Sequence, residues 1–471
     1  MNNVRGKRLI VVGLVAALLL IMGVVGYRHW LMPTRILVVN ALEAQQADIV
    51  LSNDSRRISI DCVEADDMRS LSGYDAIIIY ARRIFLTDEQ VSEVKRVAAK
   101  GVPVFTKTLR SNDFVENHNL TDEQVATLQQ YFDNESPQNM RNGLRYLRHL
   151  ATPHRIGDQD YAAPGEKIEN CYYHREYGRY FKTADELTAY LKVRGLYHAD
   201  AARLALISGI TFTMEGNRQH VDTLITMLTQ RGFNVYPLTA AGPERERLLH
   251  ELCPDAIVFM AMGRIGNDTL VSWLNEQNIP LFAPFPLSST HDDWMDARKP
   301  MSGGSKNARI VIPEIDSAIA PYCIATQNPS PQGYLMHTIE PERCTAFCDY
   351  LTHYMALRTK PNHEKRVAIA YFKRPGKDAL LASGMEVIPS LYNFLHRLQQ
   401  EGYDVSGLPS TLSVFTSQMK REGQVQGTYA AGAQQQYLRE GHPLWLSRKQ
   451  NEAWAYELED GQIIYVPDKA E

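Results

Sequence analysis

The chain is 471 residues long, with 44% hydrophobic and 22% charged residues, which is ordinary globular composition and enough chain for roughly two to four domains. A formal net charge of −4 with no basic stripe gives no footing for nucleic acid. Six cysteines over this length do not make a disulfide framework.

Residues 1–8 carry Arg5, Lys7 and Arg8 and no acid. Residues 9–26 are an uncharged apolar run, about 27 Å long as a helix, just enough to cross the hydrocarbon of a bilayer. Tyr27 and Trp30 follow as interfacial aromatics, and the cationic flank lies on the N-terminal side. No Ala-x-Ala-type site ends the run, so an uncleaved anchor is favoured over a cleaved signal peptide. The expectation is a single-pass inner-membrane protein whose first eight residues are cytoplasmic and whose body is periplasmic, the lipid bilayer being a partner of residues 9–26.

A first α/β domain is expected over 34–150. Arg35–Asn40, Tyr74–Tyr80 and Val102–Phe105 read as strands. Thr87 with Gln90, and Thr121 with Gln124, have capping-box spacing and open two helices, the first ending at Lys100-Gly101. Asn139–Leu150 adds a helix with Leu144, Leu147 and Leu150 on one side. Residues 151–200 are an aromatic-rich linker region: His154, Tyr161, Tyr172, Tyr173, His174, Tyr177 and Tyr180. Two readings stand there: packing of aromatics against neighbouring helices, which is favoured, or a flat surface for a macrocycle with His154 or His174 as axial ligand.

A second α/β domain spans 201–360, with strands at Arg203–Ser208, Val235–Leu238, Ala256–Met260 and Pro280–Ala283, and a helix over Gln219–Gln230. Spacings of about 25 to 30 residues suit βαβ crossovers. Loops after parallel strands converge on one sheet edge, so Gly263–Gly266, Ser288–Trp294, Met301–Ser305 and Ile312–Asp316 are candidates for a common cleft. His291, Asp292, Asp293, Glu314 and Asp316 offer oxygen and imidazole ligands for a divalent metal, and Trp294 a face for a planar ring. His291-Asp292-Asp293 reads equally well as an N-cap cluster. Cys344 and Cys348, with Phe347 and Leu351, read as a buried helix face. No GxxxxGK[ST], GxGxxG, HExxH, CxxC pair or GxSxG is present.

Residues 366–471 begin a third α/β domain. Val367–Tyr371 reads as a buried strand, followed by a loop with Arg374, Pro375 and Gly376. A helix opens at Pro389 with Leu391, Phe394, Leu395 and Leu398 on one face, Gly402 stops it, and Tyr403-Asp404-Val405 starts another strand. The fold class is thus tandem doubly wound, Rossmann- or flavodoxin-like α/β domains with mostly parallel sheets, behind one transmembrane helix.

The Arg366–Val405 stretch, with its proline-glycine loop and its "PSL..FL..L...GYDV" helix end, resembles the large subunit of the tetrapyrrole metal chelatases. So do Pro313-Glu314-Ile315-Asp316 after a Gly-rich turn and the "N...L..YL" segment near Leu150. That family comprises the large cobaltochelatase subunit and the H subunit of magnesium chelatase. The resemblance covers Arg35 to about Val405 and implies tetrapyrrole binding, metal insertion or removal, and partner subunits that hydrolyse ATP. It also implies many hundreds of further residues, so a short paralogue, a split subunit or a truncated product are all open. Outward orientation would make an imported tetrapyrrole, with haem the obvious case, the substrate. The alternative is a non-catalytic periplasmic module holding a tetrapyrrole or metal for a transporter. Ligand-binding candidates are His291, Asp292, Asp293, Trp294, Glu314, Asp316, Arg374 and His174, with a tetrapyrrole and a divalent metal as substrates.

Overall fold

The computed structural model describes residues 17–68, 70–81, 86–107, 116–176, 178–210, 214, 218–296, 301–330, 333–369, 381–382, 384–422, 456–457 and 463–465. The chain divides into two compact units, residues 1–352 and 353–471.

The first unit opens with an all-parallel sheet. Strands β1 (Thr34–Val39), β2 (Ile58–Val63), β3 (Ala76–Tyr80) and β4 (Val104–Lys107) lie in the order β2-β1-β3-β4. Both faces of β1 are buried, Ile36 and Val38 in one cluster and Leu37 and Val39 in the other. A strand covered on both sides needs a continuous apolar run, which is what β1 and β3 have. Helices α1 (Glu43–Ser52), α2 (Asp88–Ala98), α3 (Asp122–Asp133) and α4 (Pro137–Ala151) accompany this sheet. Thr87 and Thr121 cap α2 and α3, each in a capping box with the glutamine three residues on. Ser136, with Pro137 behind it, opens α4 two residues before the expected start.

The second sheet has the order β10-β9-β7-β8-β5-β6. Its parallel part is β7 (Arg203–Ile207), β8 (Asn234–Thr239), β9 (Ala256–Phe259) and β10 (Leu281–Phe282). Read from β8 these four repeat the 2-1-3-4 order of the first sheet. Helices α5 (Ala184–Val193), α6 (Gln219–Gln230), α7 (Gly242–Leu252) and α8 (Asp268–Glu276) belong to it. The aromatic segment joins as an antiparallel edge, β5 (Cys171–Tyr173) and β6 (Tyr180–Phe181), with Tyr172 and Tyr173 fully buried. Those tyrosines therefore sit inside a sheet.

A third, mixed sheet is made by β11 (Phe285–Thr290), β12 (Cys323–Pro329) and β13 (Leu335–Ile339) in that order. Short helix α9 (His291–Met295) leaves β11, and α10 (Pro341–Thr359) follows β13. Cys344, Phe347, Cys348 and Leu351 are all buried on α10, and all six cysteines are free thiols.

In the second unit, α11 (Val387–Gln400) ends at Gly402, whose φ of +84° is the left-handed conformation glycine adopts without strain. Tyr392 of α11 meets Phe415 of α12 (Leu412–Glu422) with ring centroids 5.4 Å apart. Two expectations are corrected here. Among the described residues, neither 367–369 of the expected Val367–Tyr371 strand nor the expected strand start at Tyr403-Asp404-Val405 is in a strand, and residues 370–371 lie outside the described residues. An apolar run becomes a strand only where a neighbouring edge is free to pair. Phe394 of the expected apolar face is 47% exposed. Ile463–Tyr465 forms the last strand, paired with Tyr456–Glu457.

Of the apolar run 9–26, residues 9–16 lie outside the described residues. Residues 17–26 are helical and lead into Tyr27–Leu31. Among the described residues, no helix is long and apolar enough to cross a membrane.

Candidate functional site

The carboxyl ends of β7 and β9 are held close together. Gly209, just past β7, has φ +68°, and a Cβ there would lie 2.8 Å from the Ala261 Cα just past β9. Glycine is required on both counts, for the backbone conformation and for the approach. Asp316 fixes the next loop. Its side chain is fully buried, and Oδ1 accepts from Arg264 Nε at 2.7 Å while Oδ2 accepts from the Ile265 amide at 2.7 Å. Arg264 also donates to Asp268 at 2.7 Å. Asp316 therefore ties the loop after β9 to the turn after Ile312–Ile315, with both carboxylate oxygens engaged. Glu314, two residues earlier, is exposed. The two acids of the PE.D tetrapeptide thus face different surroundings.

Thr290 caps α9, its Oγ1 accepting from the Asp293 amide at 3.1 Å, which places Asp292 and Asp293 in the first helical turn. His291 turns to Glu340, with Nδ1 3.1 Å from both carboxylate oxygens, and Glu340 also accepts from Thr326 Oγ1. Trp294 packs on the Phe285, Leu287 and Cys323 cluster. Arg343 lies 5.2 Å from the Trp294 ring and 4.0 Å from that of Tyr322, its Nε donating to the Cys323 carbonyl at 2.8 Å. This arginine, stacked between two aromatic rings, was not singled out from the sequence. Phe285, Leu287, Trp294, Cys323 and Arg343 wall a hollow of about 670 Å³ that also takes in Asp293, Asp296 and Ser302. A volume of this size, with an aromatic face and the Arg343 cation beside it, has room for a planar organic group.

His174 lies elsewhere, on the edge of the second sheet, in a shallower hollow of about 820 Å³ with Glu176, Arg194, Asp222 and Met336. Burial and the neighbouring Arg175 push its imidazole down to about 4, and its Nδ1 accepts from the Glu176 amide at 3.0 Å. A neutral ring with one nitrogen already engaged has at most the other for a ligand. Beside it Arg218 is buried and paired to Asp222 at 2.8 and 2.9 Å. The structure thus brings Asp293 and Trp294 together at one hollow, with His291 beside Trp294, and keeps His174, Glu314 and Asp316 apart from it. Arg374 lies outside the described residues. Among the described residues, no three His, Cys, Asp or Glu side chains are grouped to hold a metal ion.

The architecture is that of an α/β protein with tandem, mostly parallel sheets. It superposes on the catalytic subunit of cobaltochelatase from Mycobacterium tuberculosis with a TM-score of 0.59 at 17% identity, covering 83% of this chain and 33% of that one. The CobN/Magnesium Chelatase family model matches residues 129–463, well over half of the chain, and the chain belongs to that family. Among its relatives, the H subunit of magnesium chelatase from Chlorobaculum parvum is 26% identical over 259 residues, 51% of this chain and 20% of that protein. The aerobic cobaltochelatase protein CobN of Pseudomonas aeruginosa is 21% identical over 235 residues, 46% of this chain and 19% of that protein. The chain thus spans about a fifth of the length of these relatives.

Proposed function

We propose that this chain binds a tetrapyrrole, haem being one case, and takes part in inserting or removing its metal, working with partner chelatase subunits. The observation that carries the reading is the family match over 129–463, which contains every residue of the Trp294–Arg343 hollow. In this reading the macrocycle lies against the Trp294 ring and Arg343 faces its carboxylates. The divalent metal is substrate. We further propose that residues 9–26 anchor the chain in the inner membrane with the body in the periplasm. Supporting this, Leu18, Leu19, Leu20 and Ile21 are 59% to 69% exposed on the helix of residues 17–26, and Tyr27 and Trp30 follow it half-exposed. Apolar surface of that kind needs a cover.

Titration of the purified full-length chain with haem and with metal-free porphyrins, following the Soret band and released metal, tests the first part. Saturable Soret shifts are expected, and Trp294→Ala weakens binding by about tenfold, the effect of losing one stacking face. No spectral change with either ring class defeats the proposal. Ring binding without metal exchange supports instead the non-catalytic module that serves a transporter.

A further inference from the structure

Next to the Trp294 hollow lies a buried group of nitrogen-bearing side chains from four separate elements. His220, the second residue of α6, is 0% exposed, and neither ring nitrogen has a hydrogen-bond partner. Its ring lies 5.1 Å from that of His337 in β13, inclined at 41°. Arg309, on the π-helical segment Asn307–Val311, is 8% exposed, and its buried Nε has no partner. Gln327 sits directly across the β12–β13 ladder from His337, 5% exposed, and its Oε1 has no partner. The Cys323 thiol, which lines the hollow, acts on Arg309, and the Leu287 backbone acts on His337.

The charge in this group is one-sided. Among the described residues no carboxylate acts on His220 or Arg309. Burial, then the neighbouring His337 and Arg309, push His220 down to about 3; burial and Arg309 push His337 down to about 4. A guanidinium taken out of water without a counter-ion is among the most costly arrangements a protein interior holds. The first turn of α6, a 12-residue helix, adds the positive end of its dipole at His220. Two imidazoles alone could serve a metal, but the fixed charge of Arg309 opposes a cation there. Each of the three side chains can donate to oxygen.

We propose that His220, His337 and Arg309 form a binding site for one oxyanion, a carboxylate or phosphate group. The group belongs either to a free small acid or to the carboxylate arm of a ligand in the Trp294 hollow. Only the second source rests on the tetrapyrrole reading.

The test follows the melting midpoint of the full-length protein as inorganic phosphate or acetate is added, with chloride at matched ionic strength as the control. A saturable rise with an oxyanion and none with chloride is expected. Arg309→Met abolishes the rise and, in oxyanion-free buffer, melts no lower than the parent, because it removes a buried charge that no carboxylate among the described residues compensates. Arg309→Lys keeps part of the rise, and His220→Phe weakens phosphate at least tenfold. No saturable rise in the parent overturns the proposal. So does a rise of undiminished size in Arg309→Met, or, should that variant not fold, in His220→Phe. Protoporphyrin IX against its dimethyl ester separates the sources. A preference for the free acid that Arg309→Met abolishes assigns the arm; phosphate binding with no such preference assigns the free acid.

Discussion

Two buried ionisable groups on the helices beside the first sheet show how differently the fold treats such groups. Arg148, fully buried on α4, donates to Thr34 Oγ1 at 2.5 Å and to the carbonyls of Arg57, Ile156 and Gly157 at 2.9 to 3.1 Å, so its burial is met by acceptors. Asp48, on α1, is 8% exposed, and its Oδ1 has no partner. Burial, with Glu135 adding repulsion, raises its carboxyl to about 7. The native state therefore holds a proton that the unfolded chain, with the ordinary value of 3.8, releases between about pH 4 and 7. Its contribution to stability is present below about pH 4 and is lost as the pH rises through 7. Asp48→Asn, which keeps the neutral shape, is expected to gain on the order of 2–3 kcal/mol over the parent at pH 8 and almost nothing at pH 4. Urea midpoints at the two pH values check this, and an equal gain at both refutes it. Neither group was legible in the sequence. A lone Asp in EAQQADIVLS or a lone Arg in a Leu-lined helix carries no mark of burial, because burial is set by which elements land on it.

At the scale of elements, much more could be read. Apolar runs located β1, β3, β7, β8 and β9, and the Thr-x-x-Gln spacing located α2 and α3, because both signals are local. The missed β2, ISIDCV, alternates apolar and polar as an edge strand should, and α1 beside it has no clear apolar stripe. The β5–β6 edge was obscured because Tyr172 and Tyr173 read as linker aromatics packing on neighbouring helices, whereas they lie in a strand that pairs with β8. Nor could the sequence distinguish architecture from chemistry within the PE.D tetrapeptide; the distinction lies in Arg264 and the Ile265 amide, which are 50 or so residues away in the chain. Asp316→Ala leaves a buried amide and an arginine without their acceptor and is expected to cost about 2–4 kcal/mol, with Asp316→Asn costing less because one acceptor oxygen remains. Denaturant midpoints at unchanged slope measure it, and a change below about 0.5 kcal/mol for the alanine variant removes Asp316 from its clamping role.

For the whole molecule, the two parallel sheets have the same 2-1-3-4 order with no residue-level repeat between them, which fits one α/β design used twice. Topology survives divergence that erases sequence, because right-handed crossovers leave few ways to wind four strands. The family match begins at residue 129, in α3, so the first sheet lies ahead of it. Which compartment this body occupies depends on the segment before Thr34. In the proposed anchor, Arg5, Lys7 and Arg8 on one side of the apolar run and Tyr27 and Trp30 on the other would set the orientation, with the basic residues on the cytoplasmic side. A reporter active only in the periplasm, fused after Glu471, is expected to be active, and one active only in the cytoplasm silent. Replacing Arg5, Lys7 and Arg8 together by glutamate is expected to lower the periplasmic signal severalfold, since the charge bias that retains the N-terminus is gone. A full-length fusion whose cytoplasmic reporter is active would place the body inside the cell and remove the case for an imported ring, while leaving the Trp294 hollow and its Soret test untouched.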